Sequence, residues 1–272
     1  MTSCIRIDAW RRFKSVESIG VCYGMSANNL PAPSTVVGMF KSNRIKSMRL
    51  YAPDQAALKA PGGRIQAYPK VSFRYVCVGN EVAGAATQNL VPAMKNVHGA
   101  LDSAGLGHIK VTTSVSQAIL GVYSPPSAGS FTAEAAAFMG PVVQFLARTR
   151  APLMANIYPY LAWAYNPSAM DMSYALFTAS GTVVQDGGFG YQDLFDTTVD
   201  AFYIATAKHG GSNVKLVVSE SGWPSGGGTA ATPANARPNI FAMFNENQKA
   251  SGVEQHWGLF YPNMQHVYPI NF

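Results

Sequence analysis

Two glutamates, Glu81 and Glu220, close two apolar runs that lie far apart in the chain. The first run is Tyr75-Val76-Cys77-Val78-Gly79-Asn80-Glu81-Val82. The second is Val217-Val218-Ser219-Glu220-Ser221-Gly222-Trp223-Pro224-Ser225. Apolar, β-branched runs of this length are expected to form buried parallel strands. A charge at the carboxyl end of such a strand stands where α/β barrels keep their reactive groups. Two carboxylates facing each other are the minimum apparatus for cleaving a glycosidic bond. One must carry a proton to the leaving oxygen. The other must be ionised, to attack or to activate water. Local environment divides these roles by pushing the two pKa values apart. Trp223 beside Glu220 offers a flat apolar face of the kind on which sugar rings stack.

Other polar and aromatic groups gather at strand ends. Met48-Arg49-Leu50-Tyr51 ends in a phenol. Asn156-Ile157-Tyr158-Pro159-Tyr160 brings an amide and two phenols, followed by Trp163 and Tyr165. Phe244-Asn245-Glu246-Asn247-Gln248-Lys249 adds a carboxylate and an ammonium. Tyrosine and tryptophan suit sugars, because each pairs an apolar face with a hydrogen-bond donor.

Competing chemistries lack their signatures. There is no G-x-S-x-G elbow for a serine hydrolase. The five histidines show no H-E-x-x-H spacing. Cys4, Cys22 and Cys77 form no C-x-x-C pair, so no zinc site is expected. Gly226-Gly227-Gly228 is not followed by Gly-Lys-[Ser/Thr], and no G-x-G-x-x-G follows the first strand. Neither a metal nor a cofactor is expected.

At 272 residues, 48% hydrophobic and 12% charged, the chain can bury a large core. Its charged fraction is about half the usual value of roughly 25%. The net charge of +6 is scattered, apart from Arg6, Arg11, Arg12 and Lys14. No basic stripe with interleaved aromatics is present, which argues against a nucleic-acid partner. No apolar run of about 18 residues exists, so no membrane helix is expected. Residues 1–18 are polar and basic and lack the apolar stretch of a secretion signal. They are expected to be a disordered segment outside the domain at 19–272. Cys22 and Cys77, within apolar runs, are expected to be buried thiols. A monomer is expected.

Strand and helix patterns alternate. Strands are expected at 19–23, 45–51, 73–78, 109–114, 153–158, 214–219 and 240–244. Helices are expected at 34–40, 55–59, through Leu90, Val91, Met94, Val97 and Leu101 to Gly105, at 132–148, and at 194–208 before Gly210-Gly211. Repeated βα units admit an open sheet or a (β/α)8 barrel. Functional groups at the ends of many separate strands favour the barrel. Seven strands fall short of eight. The stretch around 61–64 is too short for a further βα unit, and the Gly/Pro/Thr-rich stretch between Ser225 and Ile240 shows no amphipathic helix. The barrel is therefore expected to be incomplete, lacking its third βα unit and the helix before the last strand.

These segments resemble glycoside hydrolase family 17, the plant β-1,3-glucanases. The matching stretches are Ile19-Gly20-Val21-Cys22-Tyr23-Gly24, Met48 to Tyr51, Val78 to Val82, Ala155 to Tyr160, Val217 to Ser225 and Phe241 to Lys249. The resemblance implies a retaining (β/α)8 hydrolase of β-1,3-glucans such as callose or fungal wall glucan. It implies Glu220 as nucleophile and Glu81 as acid/base. Glu246, Lys249 and Glu254 match a supporting polar cluster, and Tyr51, Asn80, Asn156 and Tyr158 match cleft residues. An extracellular or vacuolar setting with a role in defence is implied. Two further readings stay open: a mixed-linkage β-1,3;1,4-glucanase, and an inert or glucan-binding remnant whose gaps impair the scaffold.

Overall fold

The computed structural model describes residues 20–51, 72–236 and 241–269. Each predicted apolar run within them forms a strand, and each 3.6-residue pattern a helix. Along the chain, β1 (Gly20–Tyr23) leads through α1 (Pro33–Ser42) to β2 (Ser47–Leu50). Next come β3 (Tyr75–Asn80), α2 (Leu90–Ser103) and β4 (Lys110–Ser116). A small hairpin, β5 (Leu120–Val122) and β6 (Ser130–Phe131), precedes α3 (Ala133–Thr149) and β7 (Leu153–Asn156). Two short helices, α4 (Pro159–Tyr165) and α5 (Met172–Ala175), and a second hairpin, β8 (Val184–Asp186) and β9 (Phe189–Tyr191), lead to α6 (Leu194–Lys208) and β10 (Leu216–Glu220). The chain then forms α7 (Pro233–Ala236), β11 (Ala242–Phe244) and β12 (Gly258–Phe260).

The helix starts are written in the sequence. Thr132 caps α3 by accepting from the Ala135 amide at 3.1 Å. Asp193 caps α6 through the Asp196 amide at 2.8 Å. Each cap satisfies a donor that the first turn leaves unpaired.

Eight strands form two all-parallel sheets, ordered β12-β11-β1-β2 and β10-β7-β4-β3. Among the described residues no ladder joins β2 to β3 or β10 to β11. Helices α2, α3 and α6 bury Met94, Leu101, Val142, Phe145, Leu146 and Phe202 against the second sheet. A separate aromatic cluster holds Tyr158, Tyr160, Trp163, Trp223, Phe241 and Trp257. A third, smaller cluster packs α1 through Val36 and Phe40 against β1, β11 and β12. The arrangement is an α/β, barrel-like fold whose strand ends open onto one cleft.

The expected missing third unit and the predicted helix at 55–59 lie outside the described residues, as does the segment 1–18. Between Ser225 and Ala236 the described chain holds one four-residue helix, α7. The predicted elements are otherwise present, with ends shifted by a few residues. The hairpins, the short helices α4, α5 and α7, and the strand β12 have no counterpart among the expected elements. Asp186-Gly187 at the β8–β9 turn is a hairpin signal that finds one of them, since Gly187 takes a positive φ of 58°. Cys22 is buried as expected, whereas Cys77 is only half-buried.

Candidate active site

Glu220 is the last residue of β10, and Glu81 follows the last residue of β3. Both strands are irregular just before the glutamates. Register shifts fall between Val218 and Glu220 against β7, and between Cys77 and Asn80 against β4. Such irregularities re-aim side chains at strand ends. Gly79 makes the second one possible. It holds a φ of 79°, and a Cβ there would lie 2.5 Å from Val82 Cγ2. Glu81 itself sits at φ 52°, in the left-handed region. Its amide is tied to the Ser114 carbonyl at 2.9 Å. A non-glycine residue pays of order 1–3 kcal/mol for this backbone, a cost concentrated at functional sites.

The two carboxylates live in different surroundings. Glu220 is buried and held by three donors. Arg49 Nη1 approaches Oε1 at 2.9 Å, Tyr51 donates to Oε1 at 2.7 Å, and Tyr158 donates to Oε2 at 2.8 Å. Burial raises the pKa of Glu220. Arg49 and the two phenols pull it back, and the negative charge of Glu81 adds a smaller upward push. Glu81 is exposed, and its Oε1 accepts from Asn156 Nδ2 at 2.9 Å. Burial and the neighbouring Glu220 charge hold Tyr51 and Tyr158 well above the ordinary phenol range, so both are donors.

Arg49 reaches across from β2. Its Nη2 donates to Asn80 Oδ1 at 2.9 Å, and its Nη1 to the Ser219 carbonyl at 3.2 Å and Asn156 Oδ1 at 3.3 Å. Sequence reasoning missed this residue. The available signal was a single cation between Met48 and Leu50 in an apolar strand. Cys22 lies nearby, and burial pushes its thiol up to about 11.

Glu81, Glu220, Tyr51, Asn80, Tyr158, Glu246, Lys249 and Glu254 line one cleft of about 760 Å³, together with Tyr123, Tyr165 and Trp257. Glu246 is buried, paired with Lys249 at 2.8 Å, and accepts from the Ser26 amide at 2.7 Å. Gly24 is needed for that fit, since a Cβ there would lie 2.4 Å from Glu246 Oε2. Two expected binding residues stand elsewhere. Trp223 is 1% exposed. Its indole donates to the Ala230 carbonyl at 2.9 Å and its ring packs on Tyr160. It is a core residue behind the cleft, because an apolar indole next to other aromatics gains more by burial than by facing water. Trp257 is the tryptophan on the cleft wall. Asn156 is 0% exposed and lies beneath the carboxylates rather than on the cleft surface.

The family model of glycosyl hydrolases family 17 matches residues 19–64, 64–240 and 237–272. The chain belongs to this family. It is a glycoside hydrolase. It is 74% identical over 310 aligned positions to Lichenase-2 of Hordeum vulgare, covering 95% of this chain and 99% of that one. It is 43% identical to a glucan endo-1,3-beta-glucosidase of Vitis vinifera, covering 94% and 92%. A solved structure described among two plant beta-glucan endohydrolases with distinct substrate specificities superposes with a TM-score of 0.90 at 73% identity, covering 93% of this chain and all of that one. Among the described residues no helix is long and apolar enough to cross a membrane.

Proposed function

We propose that this glycoside hydrolase is a retaining endo-β-glucanase with Glu220 as nucleophile and Glu81 as acid/base. The observation that carries the assignment is the split environment of the two carboxylates at one cleft. Glu220 is buried, immobilised by three donors and paired with Arg49. Glu81 is exposed toward the cleft, where a proton can come and go. In the first step a Glu220 oxygen forms a bond to the anomeric carbon. The glycosidic C–O bond breaks, and Glu81 passes its proton to the departing oxygen. In the second step Glu81 takes a proton from water. The water oxygen bonds to the anomeric carbon and Glu220 leaves. Retention requires the two carboxyl groups to act at roughly 5–5.5 Å.

The substrate we propose is a glucan containing β-1,3 bonds, as the name of the Vitis vinifera relative indicates. A second reading, mixed-linkage β-1,3;1,4-glucan, is favoured by the identity to Lichenase-2, 74% against 43%. The catalytic groups described above serve either linkage, so the choice rests on the wider cleft. Reducing-sugar release from a pure β-1,3-glucan and from a mixed-linkage glucan separates the two. Glu220→Gln is the control. Equal release by wild type and Glu220→Gln on both polymers sinks catalysis and leaves the inert or glucan-binding remnant. Proton NMR of the first-formed product checks retention, and an initially inverted anomer removes the nucleophile role.

The shortened barrel is also our reading. It is supported by the family match, which breaks at residue 64 and again at 237–240, the two places where the spacing ran short. A monomer acting in an extracellular or vacuolar setting suits a polysaccharide cleft. Size-exclusion chromatography and an in-frame fluorescent fusion test these two points.

A further inference from the structure

Between Glu81 and Glu220 lies a buried amide that the reaction does not consume. Asn156, at the end of β7, pairs in register with Glu220 of β10. Its Oδ1 lies 2.8 Å from the Ser114 hydroxyl, 2.7 Å from the Ser219 hydroxyl and 3.3 Å from Arg49 Nη1. Arg49 can only donate, and the two hydroxyls, 2.7 Å apart, share their protons between Oδ1 and each other. Its Nδ2 donates to Asn80 Oδ1 at 3.1 Å and Glu81 Oε1 at 2.9 Å. These contacts fix which way the amide points. Turned over, it would aim N–H groups at a guanidinium and a carbonyl oxygen at a carboxylate.

The bond to Glu81 makes the two oxygens of that carboxyl group unequal. Oε1 is occupied by an N–H donor, which leaves Oε2 to carry the exchangeable proton. Among the described residues this is the one hydrogen bond given to the Glu81 carboxylate, on a residue whose backbone is already strained at φ 52°. We infer that Asn156 is the positioning residue of the acid/base group, an oriented amide that holds Glu81 Oε1 so that Oε2 presents its proton to the leaving oxygen. The inference rests on the acid/base role proposed for Glu81. Asn156 is fully buried and does not line the cleft. It acts through Glu81, and it is itself held by β2, β4 and β10 through Arg49, Ser114 and Ser219. The charged groups around the pair are Arg49 from β2 and Glu220 from β10.

An N–H donor to a carboxylate oxygen favours the ionised form, and removing such a donor moves an acid's ionisation to higher pH. General-acid help matters when the leaving group is a sugar and hardly at all when it is a dinitrophenolate. The test is Asn156→Ala assayed on the preferred glucan and on a 2,4-dinitrophenyl β-glucan oligosaccharide, with the pH profile of kcat/KM. The expected result is a fall of about 100-fold on the polysaccharide. The activated substrate is expected to stay within about threefold, and the alkaline limb to move up by about one pH unit. Equal losses on both substrates, or an unmoved alkaline limb, overturn the inference. If Asn156→Ala does not fold, Asn156→Asp carries the same readouts. It keeps the volume and the accepting oxygen, and it turns a carboxylate toward Glu81, so its limb is expected to move further. Glu81→Gln runs alongside. Wild-type rates for Glu81→Gln on both substrates remove the acid/base assignment itself. Leaving-group dependence in Glu81→Gln but not in the Asn156 variants removes only the positioning role.

Discussion

The two seams between the four-stranded sheets are closed by opposite chemistry. Between β2 and β3 the closure is polar: Arg49 on β2 donates to Asn80, Asn156 and the Ser219 carbonyl and pairs with Glu220, all on the other sheet. Between β10 and β11 the closure is aromatic. Tyr158 meets Phe241 at 5.5 Å and Trp257 at 5.1 Å between ring centroids, with Tyr160, Trp163 and Trp223 behind. The strands flanking the polar seam, β2 and β3, are half-buried or exposed, whereas β4 and β7 are buried along most of their length. The lesson concerns what each seam can be used for. An aromatic seam is closed by area and is insensitive to charge. A polar seam is closed by directional bonds, and the same bonds orient the Glu220 carboxylate. The two breaks in the family match also fall between the sheets, in the connections from β2 to β3 and from β10 to β11. The carboxylates and Asn156 all stand on the sheet that α2, α3 and α6 support.

The largest expected effect comes from opening the polar seam. Arg49→Ala leaves Glu220 buried without its cation, which is expected to cost about 3–5 kcal/mol and to remove most of the activity. Urea unfolding and glucan hydrolysis measure both. A midpoint within error of wild type would mean the clasp does not hold the sheets.

Opening the aromatic seam should cost similar stability with far less damage to chemistry. Trp223→Ala removes an indole that is 1% exposed and is expected to destabilise by about 3–5 kcal/mol. Below its own melting temperature, kcat is expected to stay within about tenfold, because the indole does not line the cleft. A collapse of kcat in folded protein would place Trp223 back in substrate binding.

A pH series sharpens the contrast. The raised pKa of Glu220 comes first from burial. The native state therefore binds that proton more tightly than the unfolded chain, and this group's contribution to stability falls as pH rises through its native pKa. Arg49 opposes the rise. In Arg49→Ala the fall with pH is expected to be steeper, while in Trp223→Ala it stays as in wild type. Melting temperatures between pH 4 and 8 give the slopes, and equal slopes in the two variants would uncouple the polar seam from Glu220.

The smallest effect lies away from both seams. Asp196 in the first turn of α6 is pushed up to about 6, first by burial and then by the charges of Asp193 and Asp200. Its ionisation costs stability as pH rises from about 4 through about 6. Asp196→Asn should gain about 1 kcal/mol at pH 7, reduced by its partial exposure, and nothing below pH 4. A gain that persists at pH 3.5 would assign the effect to packing instead.

Much of this was legible without coordinates. Glu81 and Glu220 announce themselves because a charge at the end of an apolar β-branched run has few structural excuses. Glu246 and Lys249 are close in sequence, and their pairing needs no long-range information. Arg49 carries no local signal of its role, because its four polar partners sit on β3, β7 and β10, which local spacing does not relate to β2. Trp223 reads as a stacking surface in the sequence yet is buried in the structure, for the complementary reason. A tryptophan next to a strand-end carboxylate can face the cleft or the core, and only the packing of Tyr160 and Trp163 decides it.

By itself the sequence determined the main alternation of strands and helices and the strand-end positions of the two carboxylates, because these depend on periodicity and on neighbours a few residues away. Only the tertiary structure decided which carboxylate is buried and clamped, which tryptophan meets the cleft and which way the Asn156 amide points. Those outcomes depend on donors and apolar area brought together from strands distant in the chain, and no local pattern encodes that meeting.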